Sequence, residues 1–250
     1  MAVNKPFFRT CRQFTDGHYA FGGHARYIDD PRYAKYPEQF IRAYLIIQKD
    51  LLELFDYIEP ADANLQCFSY RINELLLRSC IEIEANCKAI LIENGYRKNP
   101  DKFKMVDFQK IEESHRLSSY KVKLPYWFGK EKLRRPFLHW KNKEPLNWYQ
   151  AYNATKHDRH SNFPSANLDN LLDAICGLVT LLSAQFYTND FSPSPGFLIV
   201  DGPNDGTESA IGEYFHIGFP TDWPKKFQYD FDWSKLTSDT EPFVCFPYKA

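Results

Sequence analysis

Residues 165–186, SANLDNLLDAICGLVTLLSAQF, decide the fold class. Leu168, Leu171, Leu172, Ile175, Leu178, Val179, Leu182 and Phe186 recur at steps of three and four, which lines them along one side of an α-helix. Pro164 breaks the chain just before, and Ser165 is placed to cap the first turn. A stripe this continuous must be covered, and the preceding sequence supplies partners of the same period. Tyr36-Pro37-Glu38 opens a helix, because proline suits the first turn and an acid favours the positive end of the macrodipole. Phe40, Tyr44, Ile47, Leu51, Leu54, Phe55 and Ile58 follow at helical spacing until Pro60. Residues 66–94 predict the longest helix, about 40 Å at 1.5 Å per residue. Its stripe is Ile72, Leu75, Leu76, Ser79, Ile83, Cys87, Ile90 and Leu91, flanked by Arg78/Glu82 and Glu84/Lys88 at i,i+4, and Asn94-Gly95 ends it. A further helix runs from an Asn147 N-cap to about His160. The expectation is a mainly α chain, a four-to-five-helix bundle with a small C-terminal β-rich appendage.

Residues 1–36 are aromatic, rich in Arg and His, and broken by Gly17, Gly22, Gly23 and Pro31; they read as an arm lying on the domain. Residues 37–190 form the helical unit. Within it, 97–146 is an aperiodic basic insertion in which Tyr120 to Leu124 is strand-like, and an insertion this long carries function or structure of its own. After Pro193 and Pro195, Phe197 to Val200, Glu213 to Phe219 and Phe227 to Trp233 read as short strands, making 191–250 the appendage.

Composition narrows the class. Of 250 residues 44% are hydrophobic and 25% charged, which is globular, not disordered. No window reaches the roughly 18 uninterrupted apolar residues of a membrane span, and the N-terminus lacks the apolar core of a signal peptide. The six cysteines form no CxxC pair. Cys80, Cys87 and Cys176 fall in apolar helical stretches and read as packing residues. Cytoplasmic residence without membrane attachment follows as the expectation. The net charge of −1 conceals an uneven distribution. From His115 to Lys143 nine Lys/Arg face one acid, and from Asp201 to Glu241 nine acids face three lysines. The two regions either attract each other or serve different partners.

Polar chemistry concentrates between Trp148 and His160. On one helix Tyr149, Asn153, His157 and His160 share a face, and Tyr152, Lys156 and Arg159 share the adjacent one. That pattern suits an anionic, oxygen-rich ligand. His157 would move a proton, Asn153 would donate to an oxygen, and Lys156 or Arg159 would hold a phosphate. The same residues also fit a polar helix end whose cations cap the last carbonyls. In the basic insertion, Lys130, Arg134 and Arg135 are interleaved with aromatics such as Trp140, the combination that single-stranded nucleic acid uses. A solvated loop with core-anchoring aromatics would look alike. Neither a metal nor a cofactor is called for: Cys11, His18 and His24 lack ligand spacing, and residues 201–206 are acidic turn chemistry.

The run Tyr152-Asn153-Ala154-Thr155-Lys156-His157, following a long helix marked by Arg78, Glu82, Glu84 and Lys88, resembles the HEPN family (higher eukaryotes and prokaryotes nucleotide-binding) over roughly residues 37–190. The resemblance implies a helical bundle, often dimeric, that binds RNA or a nucleotide-like ligand in microbial stress or defence. Some members are metal-independent ribonucleases and others are non-catalytic binding or protein-interaction modules. The family's catalytic pattern is arginine, a polar residue, three variable residues and histidine. Asn153 and His157 match, and Tyr152 stands in place of the arginine. The resemblance therefore implies His157, Arg159 and Asn153 as the catalytic set, with Arg159 or Arg78 supplying the missing cation. Tyr149, Lys156, His160, Arg78 and Glu82 would surround the ligand.

Overall fold

The computed structural model describes residues 2–191 and 206–249. Its helices are α1 (Pro37–Phe55), α2 (Tyr70–Glu93), α3 (Met105–Phe108), α4 (Ile111–His115), α5 (Asn147–His157), α6 (Arg159–Asn162), α7 (Leu168–Phe186) and α8 (Trp233–Leu236). Its strands are β1 (Lys121–Lys123), β2 (Leu133–Arg134), β3 (Glu208–Ser209) and β4 (His216–Gly218). The chain is mainly α with one small antiparallel sheet. The strand expected at Phe197 to Val200 and the turn at 201–205 lie outside the described residues.

Helix α7 is the centre. Every residue of its expected stripe is buried, and so are Ala174, Cys176, Leu181, Thr180, Ser183 and Gln185 on its other sides. By length and composition α7 would also pass for a membrane span, but 83% of its apolar window is buried within the fold. Its cap is Asn167, whose side chain accepts from Asn170 N at 3.0 Å, while the expected cap, Ser165, ends a preceding 3-10 turn. Helix α2 lies alongside and runs the same way: Asn167 reaches Gln66 at 3.0 Å at one end, and Gln185 reaches Asn86 at 2.9 Å near the other. Helix α2 begins at Tyr70, four residues later than expected, because Cys67 and Leu65 offer their carbonyls to Leu168 N and Asp169 N and Ser69 caps the first turn. Helices α1 and α5 pack antiparallel to α2. Asp50 of α1 meets Arg71 and Arg78, and Tyr149 of α5 meets Glu84. Arg78 thus turns to Asp50 and Glu74, not to Glu82. Cys80, Cys87 and Cys176 are buried, and burial pushes each thiol up, as expected of packing residues.

The N-terminal residues, which read from sequence as an arm on the surface, run through the core. Arg9 is fully buried. Its Nε lies 2.8 Å from Glu93 of α2, Nη1 donates to Gln185 of α7 at 3.0 Å, and Nη2 donates to the Lys35 carbonyl at 2.5 Å. Its guanidinium also lies 4.7 Å from the Phe40 ring centre. Arg12, buried as deeply, donates twice to the Ser114 carbonyl and is enclosed by Phe7, Trp223, Tyr229 and Phe246. Next to it, His115 Nε2 donates to the Arg9 carbonyl at 2.7 Å. A carbonyl can only accept, so Nδ1 is the acceptor and takes the Ser114 hydroxyl proton at 2.6 Å. Burial holds this imidazole down at about 3, so it stays neutral.

The sheet order is β2-β1-β4-β3, all antiparallel. Two strands come from the basic insertion and two from the C-terminal region, so the β structure joins those regions. The strand-like reading of Tyr120 to Leu124 corresponds to β1, and that of Glu213 to Phe219 to β4. Phe227 to Trp233 is not a strand: a 3-10 turn spans Lys225–Phe227, Tyr229 makes isolated bridges to Val3 and Phe14, and α8 starts at Trp233. Its aromatics are recruited singly by the N-terminal segment instead of pairing along a ladder.

Truncating Arg9 would leave Glu93 without its cation at a site where only 11% of the carboxylate side chain is exposed. Arg9→Ala is expected to lower unfolding free energy by about 3–5 kcal/mol, read from the urea midpoint. Arg9→Ala with Glu93→Ala should cost less than the sum of the single changes; strict additivity would show that the pair is uncoupled.

Candidate functional site

The polar segment does not form one continuous helix. At Asp158 the backbone leaves helical geometry (φ −143°, ψ 77°), and α5 ends at His157. The Asp158 carboxylate then accepts from Ser161 N at 3.2 Å and caps α6. Asn147 is the first residue inside α5, with Leu146 at the cap position. The break divides the predicted strip. Asn153 stays half-buried on α5 and His157 is exposed at its end, while Arg159 and His160 belong to α6 and turn toward the start of α2.

There they close a hollow of about 390 Å³ lined by Tyr70, Asn73, Leu77, Thr155, Lys156, Arg159, His160 and Phe163. Lys156 Nζ donates to the Tyr152 hydroxyl at 3.0 Å, and this bond holds its ammonium pKa up. The Arg159 guanidinium lies 5.2 Å from the centre of the Tyr70 ring, and that ring packs on Phe163 at 4.8 Å. Tyr70 and Asn73 belong to the first turn of the 24-residue α2, so the positive end of its macrodipole faces the same space. No carboxylate lines the hollow. Asn73 is 4% exposed, and its Oδ1 is buried without a hydrogen-bond partner. A buried amide oxygen left unmatched costs about 1–3 kcal/mol.

The hollow can therefore hold anionic oxygens between Lys156, Arg159 and His160 and accommodate a flat apolar group against Tyr70 and Phe163. Tyr70, Asn73 and Phe163 escape a reading by residue type. Tyr70 looks like the flank of an apolar stripe, and Asn73 follows Ile72 with no motif around it. Only the orphaned oxygen marks Asn73, and that is a property of packing.

The other predicted site residues lie elsewhere. Tyr149 is buried and donates to Glu84 at 2.8 Å; burial first, then that carboxylate, pushes its phenol well up. Glu82 is away from the hollow, and burial raises its carboxyl against the pull of Arg78. Asn153 and His157 do not line the hollow. Among the described residues no three His, Cys, Asp or Glu cluster as metal donors.

The basic insertion divides likewise. Lys130 is exposed, and its backbone N–H donates to Asp62, which also accepts from Trp127 Nε1 and Glu131 N. Those bonds hold the Asp62 carboxyl below its usual range. Gly129 (φ 143°) is required here, since a Cβ would fall 2.2 Å from that carboxyl carbon. Arg135 is exposed. Two candidates are structural: Trp140 is buried against Phe137, and Arg134 is buried, ion-paired with Asp169 and with Asp173 of α7.

Burial pushes the Asp173 carboxyl up to about 6, with Arg134 opposing. An acid raised in the folded state favours folding while protonated, and that contribution is lost as pH rises through about 6. With 30% of the side chain exposed, the loss between pH 5 and 8 is expected to be about 1–2 kcal/mol. Urea titration of the native chain and Asp173→Asn at both pH values checks this: the variant should gain by that amount relative to the native chain as pH rises.

No family model, curated protein or solved structure matches this chain.

Proposed function

We propose that this chain binds a phosphorylated, nucleotide-like ligand, free or as the end of an RNA strand, in the hollow between α2, α5 and α6. One observation carries the reading: Lys156, Arg159 and His160 converge on the first turn of α2 in a hollow without a carboxylate. Phosphate oxygens suit both the cations and the helix end. The Tyr70–Phe163 wall suits a base. On this reading the four long helices are a bundle of the HEPN kind, and cytoplasmic residence, homodimer formation and a role in microbial stress or defence come with that resemblance.

Binding ranks ahead of RNA cleavage for a geometric reason. His157 would need a guanidinium beside the scissile phosphate; Arg159 lines the hollow, which His157 does not, and Arg78 is paired with Asp50.

Calorimetric titration with AMP and with adenosine tests the proposal. AMP should bind and adenosine should bind at least tenfold more weakly. Arg159→Ala and Lys156→Ala should each weaken AMP by roughly 10- to 100-fold, corresponding to about 1.5–3 kcal/mol per charged hydrogen bond. His157→Ala should leave the affinity within twofold. Equal affinity for adenosine and AMP, or indifference to both cation removals, rejects the site.

A further inference from the structure

A second cationic surface lies on the sheet, away from the residues of the hollow. Alternation along β1 buries Val122 and turns Lys121 and Lys123 outward. In β2 the pattern inverts at neighbouring residues: Arg134 points in and Leu133 out, with 47% of Leu133 exposed. Lys121 pairs with Gly218 of β4 and Lys123 with Leu133. Gly218 keeps the floor low, since no side chain rises there between Lys121 and Thr207. The 3-10 turn Leu138–Asn142 adds Leu138 and Lys141 as one wall, and Phe219 to Asp222 form another. The result is a concavity of about 700 Å³.

Among the described residues its lining is mainly cationic. Lys121, Lys132, Arg135 and Lys141 line it, all exposed, and none has an ion-pair partner among the described residues. Among the described residues the acid on its rim is Asp222, which is held by Arg116 at 2.8 Å. Between the cations the floor is apolar, with Leu133, Leu138, Phe219 and Pro220. The Ser119 and Thr221 hydroxyls face the same space. Like charges gathered around apolar surface repel one another, and a polyanion with apolar faces relieves that repulsion.

We propose that this concavity is a docking surface for single-stranded RNA: Lys121, Lys132, Arg135 and Lys141 meet successive phosphates, Leu133 and Leu138 meet unstacked bases, and Ser119 and Thr221 meet 2′-hydroxyls. Charge complementarity selects a polyanion, and the exposed apolar floor selects a single strand over a duplex, whose bases are stacked out of reach. The proposal stands apart from the nucleotide reading of the hollow, so either can fail alone.

Fluorescence anisotropy of a labelled 12-nucleotide oligouridine, titrated at 50 and 200 mM salt, tests it. The native chain should bind and weaken with salt. Lys132→Glu with Lys141→Glu, both exposed and remote from the core, should weaken binding at least tenfold and reduce the log–log salt slope by about 0.7 for each phosphate left unneutralised. With an oligouridine blocked at both ends, which offers the hollow no terminal phosphate, Lys156→Ala with Arg159→Ala should change binding less than twofold, and this separates the two surfaces. Three results overturn the proposal: unchanged affinity in the double charge reversal, competition by polyglutamate as strong as by unlabelled RNA, or equal binding of the matching DNA oligonucleotide.

Discussion

The buried guanidinium of Arg9 ties together elements distant in the chain. It reaches Glu93 at the end of α2, Gln185 at the end of α7 and the carbonyl of Lys35 before α1. Desolvating such a charge is expensive, and the cost is offset only where its donors find acceptors inside the fold. Those acceptors come together only when the start of α1 and the ends of α2 and α7 meet around the guanidinium. The ion pair therefore acts as a registration device, penalising any sliding of the helices that leaves the cation unmatched. Gln185 extends it to Asn86, so a polar relay crosses the apolar contact between α2 and α7.

That registration sets the far ends of the same helices. Gln185 pairs with Asn86, and at the other end of the two helices Cys67 and Leu65 bond to the first turn of α7. The first turn of α2 is then exposed toward α5 and α6. The break at Asp158 brings Arg159 and His160 to that turn, whereas an uninterrupted helix would have carried them along the α5 axis. A cationic hollow at a helix start is thus a product of helix register at one end and a capped kink at the other.

The sheet shows how alternation sorts like residues into unlike roles. Arg134 and Arg135 are neighbours of identical chemistry. One faces inward to Asp169 and Asp173 and holds the insertion onto α7; the other faces the concavity. The basic and acidic regions do meet, through the Arg116–Asp222 pair and the β1–β4 ladder. Among the described residues, four cations of the concavity have no ion partner.

By itself the sequence determined the mainly α character and the three longest helices. The three-and-four spacing of Leu168 to Phe186 and of Ile72 to Leu91, with Pro37 and Asn94-Gly95 at boundaries, locates α7, α2 and α1 because periodicity and capping are local properties. It also gathered Lys156, Arg159 and His160 as candidates, since charge clustering is visible along a chain. Tertiary structure alone decided that His157 stands outside the hollow, that Tyr70, Asn73 and Phe163 complete it, and that Arg134 and Trp140 are internal supports. It also decided that residues 9–14 are buried: Arg9 and Arg12 look like surface cations until acceptors such as Glu93, Gln185 and the Ser114 carbonyl surround them. The physical reason is common to all of these. Burial and partnership of a polar side chain depend on which distant segment packs against it, and no neighbouring residue encodes that.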